Sequence, residues 1–180
     1  MRKALLFLGV LNDADLDWMI GAGSVQTVAP GTRLVVQGEP MEQVYLILDG
    51  CLQVTIAGPS GHPVEVARLR SGDIVGEMSF VDSRPPSATV VAAEESQVLA
   101  VPTRALRLRL EQPDFAGRFY RALAMFLADR LRTSTSHLGY GSVTAEAPVF
   151  DADDLDPEVV DTIAIAGARF DWMLRRLRGH

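Results

Sequence analysis

Glycine punctuation sets the architecture of this chain. Between Val25 and Val101, short apolar runs are broken by Gly31, Gly38, Gly50, Gly58, Gly61 and Gly72, at intervals of roughly ten residues, the rhythm of an all-β sandwich or barrel. The runs themselves are 25–29, 33–37, 44–48, 52–56, 64–69, 89–93 and 97–101. A parallel βαβ fold would need a helical crossover between successive strands, and these intervals leave no room for one. Leu52-Gln53-Val54-Thr55-Ile56 alternates apolar and polar residues, which predicts a strand with one buried and one wet face. The Gly58-Pro59-Ser60-Gly61-His62-Pro63 segment reads as an exposed hairpin turn with His62 in solvent.

Helical periods flank this β region. Asn12 is placed to cap a helix carrying Leu16, Met19 and Ile20. After Pro102 the spacing of Phe115, Phe119, Leu123, Phe126, Leu127 and Leu131 predicts a long amphipathic helix, with Arg118, Arg121, Asp129 and Arg132 opposite. Its apolar stripe has two outlets: its own β layer, or the same helix of a second copy, making the 115–131 helix a homodimer seam. Residues 133–155 are rich in Ser, Thr, Gly and Asp and are expected to be a linker. A last helix over 156–180 is signalled by Asp156-Pro157-Glu158 at its start and Arg175, Arg176 and Arg178 near its end. Val160, Ile163, Gly167, Phe170, Leu174 and Leu177 are its expected apolar stripe. The domain organisation is therefore 1–132 as the β domain with its long helix, then the linker, then this helix.

Composition removes several function classes. Net charge is −6, and of 17 basic residues only Lys3 is a lysine, so DNA is not an expected partner. The single cysteine, Cys51, excludes an internal disulfide framework and fits a reducing, cytoplasmic setting. Met1-Arg2-Lys3 before an apolar run resembles a signal segment, but Asn12, Asp13, Asp15 and Asp17 cut the run short. No stretch has the length of a membrane span. His62, His137 and His180 sit near no nucleophile or metal-ligand cluster, so the chain is expected to be neither an enzyme nor a metal or cofactor protein. The acidic run 151–156 lacks the glycine and glutamate of a calcium loop.

One segment carries chemistry: Gly72-Asp73-Ile74-Val75-Gly76-Glu77-Met78-Ser79-Phe80, then Val81 to Pro86, then Ser87-Ala88-Thr89-Val90. Here the chain resembles the cyclic-nucleotide-binding domain family, which includes catabolite activator proteins and protein kinase A regulatory subunits. The family's phosphate cassette runs Gly-Glu-apolar-(Ala/Ser)-apolar, a short loop, then Pro-Arg-(Ala/Ser)-Ala-Thr-Val. Gly38-Glu39-Pro40, Tyr45-Leu46-Ile47-Leu48-Asp49-Gly50 and Pro30-Gly31 extend the similarity, which covers about residues 5 to 132. The resemblance implies a mainly β fold with flanking helices, a β-roll of the double-stranded jelly-roll type followed by a long helix. It implies a regulatory sensor whose ligand is cyclic AMP or cyclic GMP. The helix-turn-helix that follows the long helix in catabolite activators has no counterpart here.

The ligand's chemistry matches these residues. A cyclic nucleotide presents a ribose hydroxyl and one anionic phosphate, so a site needs a carboxylate acceptor beside several donors. Glu77 is the candidate acceptor, the amides of Gly76, Met78 and Ser79 open a short helical turn, and Ser87, Ala88 and Thr89 add polar groups. Alternatively, Glu77 and Thr89 satisfy backbone groups in a tight turn. The departure is Pro86, standing where the resemblance places the phosphate-pairing arginine; proline offers neither charge nor N–H. Arg84 is the one base in the cassette; it either reaches back to the ligand or points into water. At the end of the long helix Arg132, Thr133 and Ser134 are within reach of a bound base. Two functions remain: a nucleotide-gated sensor, and a nucleotide-independent dimerisation or protein-interaction module on the same fold.

Overall fold

A computed structural model describes residues 5–58, 61–139 and 157–178, with side chains over 7–58, 61–132 and 164–178. Two helices open the chain, α1 (Leu5–Val10) and α2 (Asp13–Ala22). The cap on α2 forms as its sequence signals: Asp15 N–H donates to Asn12 Oδ1 at 2.9 Å and Asn12 N–H to Asp15 Oδ2 at 3.1 Å, a reciprocal capping box. Eight strands follow: β1 (Ser24–Val28), β2 (Arg33–Val35), β3 (Gln43–Asp49), β4 (Cys51–Ala57), β5 (Pro63–Arg70), β6 (Ile74–Val75), β7 (Thr89–Ala92) and β8 (Ser96–Pro102). The short helix α3 (Glu77–Asp82) lies between β6 and β7, and α4 (Thr103–Arg109), α5 (Pro113–Gly139) and α6 (Pro157–Leu177) complete the described elements.

The strands form two antiparallel four-stranded sheets, ordered β1-β8-β3-β6 and β2-β7-β4-β5. Their residues divide between two cores. Val28, Val35, Ile47, Leu52, Val54, Leu69, Val75, Val90, Ala92 and Val98 pack between the sheets. The opposite pleats of β3 and β8, with Val44, Leu46, Leu48, Leu99 and Val101, pack against the helices. These two strands are thus buried on both faces, which is why 44–48 and 97–101 read as continuous apolar runs while β4 alternates. Cys51 is a buried free thiol in the roll.

The structure differs from the sequence expectation in several places. The two-residue β6 and the roughly two-turn α1 and α4 carry too few residues to show a period. The long helix continues through Gly139, into the segment expected to be linker, because Ser and Thr lower helix propensity only slightly. Arg118, expected on the wet face, instead turns in to Asp15. In α6 the buried seam runs through Ala166 and Met173, rotated from the expected stripe; Gly167, Phe170, Leu174 and Leu177 flank it at intermediate exposure. The helix packs in cis on α1 and α2. The acidic run 151–156, with the cap assigned to Asp156, lies outside the described residues, as do the side chains of Val160 and Ile163. Among the described residues no helix is long and apolar enough to cross a membrane.

Candidate functional site

Gly76 sets the entrance to the cassette. It adopts φ +88 at the N-cap of α3, a backbone region that L side chains rarely enter. The turn swings the chain out of β6 and starts α3 with Glu77, whose side chain is only 4% exposed. Beside it a cavity of about 320 Å³ opens to solvent, within the size range of small-molecule sites. Val54, Val66 and Leu69 of the second sheet wall one side, and the cassette walls the other.

Gly76, Glu77, Met78, Ser79, Ser87 and Ala88 are brought together around this cavity, with Pro86 among them. Arg84 and Thr89, both expected at the ligand, lie elsewhere. Ser83 takes a left-handed φ of 58 as the chain leaves α3. Arg84 N–H is held by Asp82 Oδ1 at 3.0 Å, and its guanidinium, 83% exposed, lies 3.9 Å from the same carboxylate. Thr89 serves the backbone: its Oγ1 accepts from Gln37 N–H at 3.0 Å and its carbonyl from Thr55 Oγ1 at 3.4 Å. Arg132 is exposed, and the side chains of Thr133 and Ser134 lie outside the described residues.

The cavity's cation is one the cassette does not contain. Arg130 of α5 donates from Nη1 to Glu77 Oε1, and its guanidinium sits 5.7 Å from the centre of the Phe126 ring. Burial pushes the Glu77 carboxyl above the usual carboxylate range. The charge and hydrogen bond of Arg130 oppose this without cancelling it, and Asp73 adds to the rise. A signal for Arg130 was present in the sequence: it follows Phe126 by one helical turn and Leu123 by two, so an arginine falls on the buried stripe. Such a position demands a carboxylate across the interface.

This geometry supplies a buried acceptor, hydroxyls at Ser79 and Ser87, apolar walls and one cation borrowed from α5. The Glu77–Arg130 pair thus links the cavity directly to α5.

Comparison with known proteins places these features. A model of the cyclic nucleotide-binding domain family matches residues 25–112. The cAMP-dependent protein kinase regulatory subunit of Yarrowia lipolytica is 33% identical over 96 residues, which are 53% of this chain and 25% of that protein; the chain thus spans about a quarter of that relative's length. Among solved structures, a cyclic nucleotide-binding domain from Methylobacillus flagellatus superposes with a TM-score of 0.67 at 22% identity, over 76% of this chain and 78% of that one. The regulatory subunit of a cAMP-independent protein kinase A from Trypanosoma brucei does so with a TM-score of 0.52 at 26% identity, over 61% and 44% respectively.

Proposed function

Residues 25–112 belong to the cyclic nucleotide-binding domain family, and from that premise we propose that the chain is a cytoplasmic, non-catalytic regulatory sensor. Its ligand carries a ribose and a base, as cyclic AMP and cyclic GMP do, entering the cavity beside Gly76–Ser79 and Ser87–Ala88 and giving its ribose hydroxyl to Glu77. The observation that carries this reading is the buried Glu77 carboxylate, open to the cavity on one side and held from the other by Arg130. A cavity without a ligand has no need of a buried carboxylate, which costs stability. Ligand binding takes over the acceptor that Arg130 uses, and α5 changes position in consequence.

Thermal unfolding with cyclic AMP, cyclic GMP, adenosine and guanosine tests the proposal. A ligand at a hundred times its dissociation constant adds about 2.7 kcal/mol, and Glu77→Ala abolishes the shift. Absence of a shift with all four removes the sensor reading.

A second reading rests on α5. Gly117, Tyr120, Ala124 and Leu131 all face solvent at helical spacing, and Tyr120 and Leu131 are 50% and 66% exposed. This apolar stripe suits a homodimer through paired α5 helices, with or without nucleotide. Sedimentation of the parent and of Leu131→Arg measures it: dimer converting to monomer supports the stripe, and a monomeric parent removes it.

A further inference from the structure

We infer that the cavity selects an uncharged ribonucleoside over its cyclic phosphate. The inference rests on the sensor reading above and narrows its ligand.

Charge within the cavity is the first ground. Among its described lining residues only Glu77 and Arg130 are charged, and they pair with each other. Their sum is zero, and the walls around them are mostly apolar. A neutral ligand keeps that balance. An anion leaves one uncompensated negative charge beside Glu77, in surroundings that already disfavour its ionisation.

The second ground is that the described residues of the cassette offer no replacement cation. Pro86 brings neither charge nor N–H to the ligand, and its carbonyl is held by accepting from Gly38 N–H at 2.9 Å. Arg84 is turned out to solvent beside Asp82. Arg130 is already paired with Glu77, so a phosphate would have to share its charge with that carboxylate. The helix α3, six residues long, is under two turns and adds little dipole for an anion.

The third ground is the fit of what remains. A ribonucleoside has adjacent hydroxyls that donate to the two oxygens of one carboxylate, and an uncharged planar base that suits apolar walls. Ile56, Val66 and Met78 line the cavity and are exposed at its mouth; a base seated there covers them.

Calorimetric titration of the full chain with adenosine, guanosine, their 2′-deoxy forms, cyclic AMP and cyclic GMP tests this. At least one nucleoside is expected to bind about tenfold or more tightly than its cyclic phosphate, and its deoxy form about tenfold less tightly than the nucleoside. Pro86→Arg should raise cyclic-phosphate affinity relative to nucleoside affinity ten- to a hundredfold. The comparison within the parent protein stands even if the variant misfolds. Tighter binding of the cyclic phosphate by the parent overturns this inference and leaves the sensor reading intact. Binding of none of these ligands by protein folded by circular dichroism overturns the sensor reading, and this inference with it.

Discussion

Arg118 on α5 grips Asp15 on α2 with two parallel hydrogen bonds, Nε to Oδ2 at 2.6 Å and Nη2 to Oδ1 at 3.0 Å. The same carboxylate receives the Asn12 amide of the capping box. One side chain therefore closes a helix start and ties it to the helix that reaches the cavity. The two partners are unequally buried: the Asp15 side chain is fully enclosed, whereas about a third of Arg118 meets solvent.

That inequality orders two substitutions. Asp15→Asn removes the charge that is buried and leaves an arginine that can turn to water, at a cost of about 1–3 kcal/mol. Arg118→Met leaves the enclosed carboxylate unpaired and costs more, about 3–5 kcal/mol. Urea unfolding of both variants with matched slopes measures the difference; equal costs would show that the cap, rather than the ion pair, holds Asp15 in place.

Asp15 and Glu77 give opposite pH signatures. Burial pushes Asp15 up, but the Arg118 hydrogen bond, the Asn12 amide and the charges of Arg118 and Arg109 outweigh it and lower the pKa below the usual 3.8. Its stabilisation is present above that value and lost as pH falls through the lower folded one. Glu77 is raised above the usual 4.5, so its folded form holds a proton longer than the unfolded chain. Its contribution is complete below 4.5 and is lost as pH rises through the folded value. Glu77→Gln is therefore expected to flatten stability on the alkaline side of the ordinary carboxylate range and leave the acid limb to Asp15. Unfolding midpoints of parent and variant that run parallel from acid to neutral pH would contradict this.

The β layers and the long helix were legible because glycine spacing and period are properties of local sequence. Gly76, Glu77, Met78, Ser79, Ser87 and Ala88 were legible as a group because they are near neighbours in the chain. Arg130 was not, since its partner is 53 positions away and only its place on an apolar stripe hinted at one. Arg84 was left open for the reverse reason. Closeness in sequence to the cassette suggested contact, but the left-handed turn at Ser83 and the local hold of Asp82 decide its direction. In α6 the small Ala166 and the adaptable Met173, not the bulkiest residues, are the fully buried ones, a choice set by the helices it packs on.

Glycine substitutions separate conformational from steric demand. Gly76→Ala brings a Cβ against the flexible end of Met41, which can shift, and 3.3 Å from the Gln43 carbonyl oxygen, so its cost is mainly that of the left-handed φ, about 1–2 kcal/mol. Gly50→Ala adds a Cβ 2.7 Å from the Ser96 Cα at a φ of +94; backbone cannot yield cheaply there, and the loss exceeds that of Gly76. Gly21→Ala meets nothing within 4 Å near the end of α2, and is expected to stabilise by about 0.5–1 kcal/mol. Thermal midpoints that rank the three otherwise would refute the assignment.

Arg169 of α6 acts as a remote cap for α1. It donates from Nη1 to the carbonyls of Gly9 at 2.8 Å and Leu8 at 3.4 Å, and from Nε to Asp13 Oδ1 at 3.0 Å. A helix of six residues cannot satisfy its own last carbonyls, so α1 depends on this side chain and on Met173 beneath it. Because α1 packs on α5 as well as α6, loosening it loosens the seat of the helix that carries Arg130. Arg169→Met keeps the aliphatic stem and removes the donors, with an expected loss of about 1–3 kcal/mol. The amides of α1 should exchange hydrogen faster by one to two orders of magnitude, while those of β4 and β7 in the far sheet change only as far as global stability falls. Uniform acceleration across both sheets and α1 would show that Arg169 supports the whole fold and not this junction.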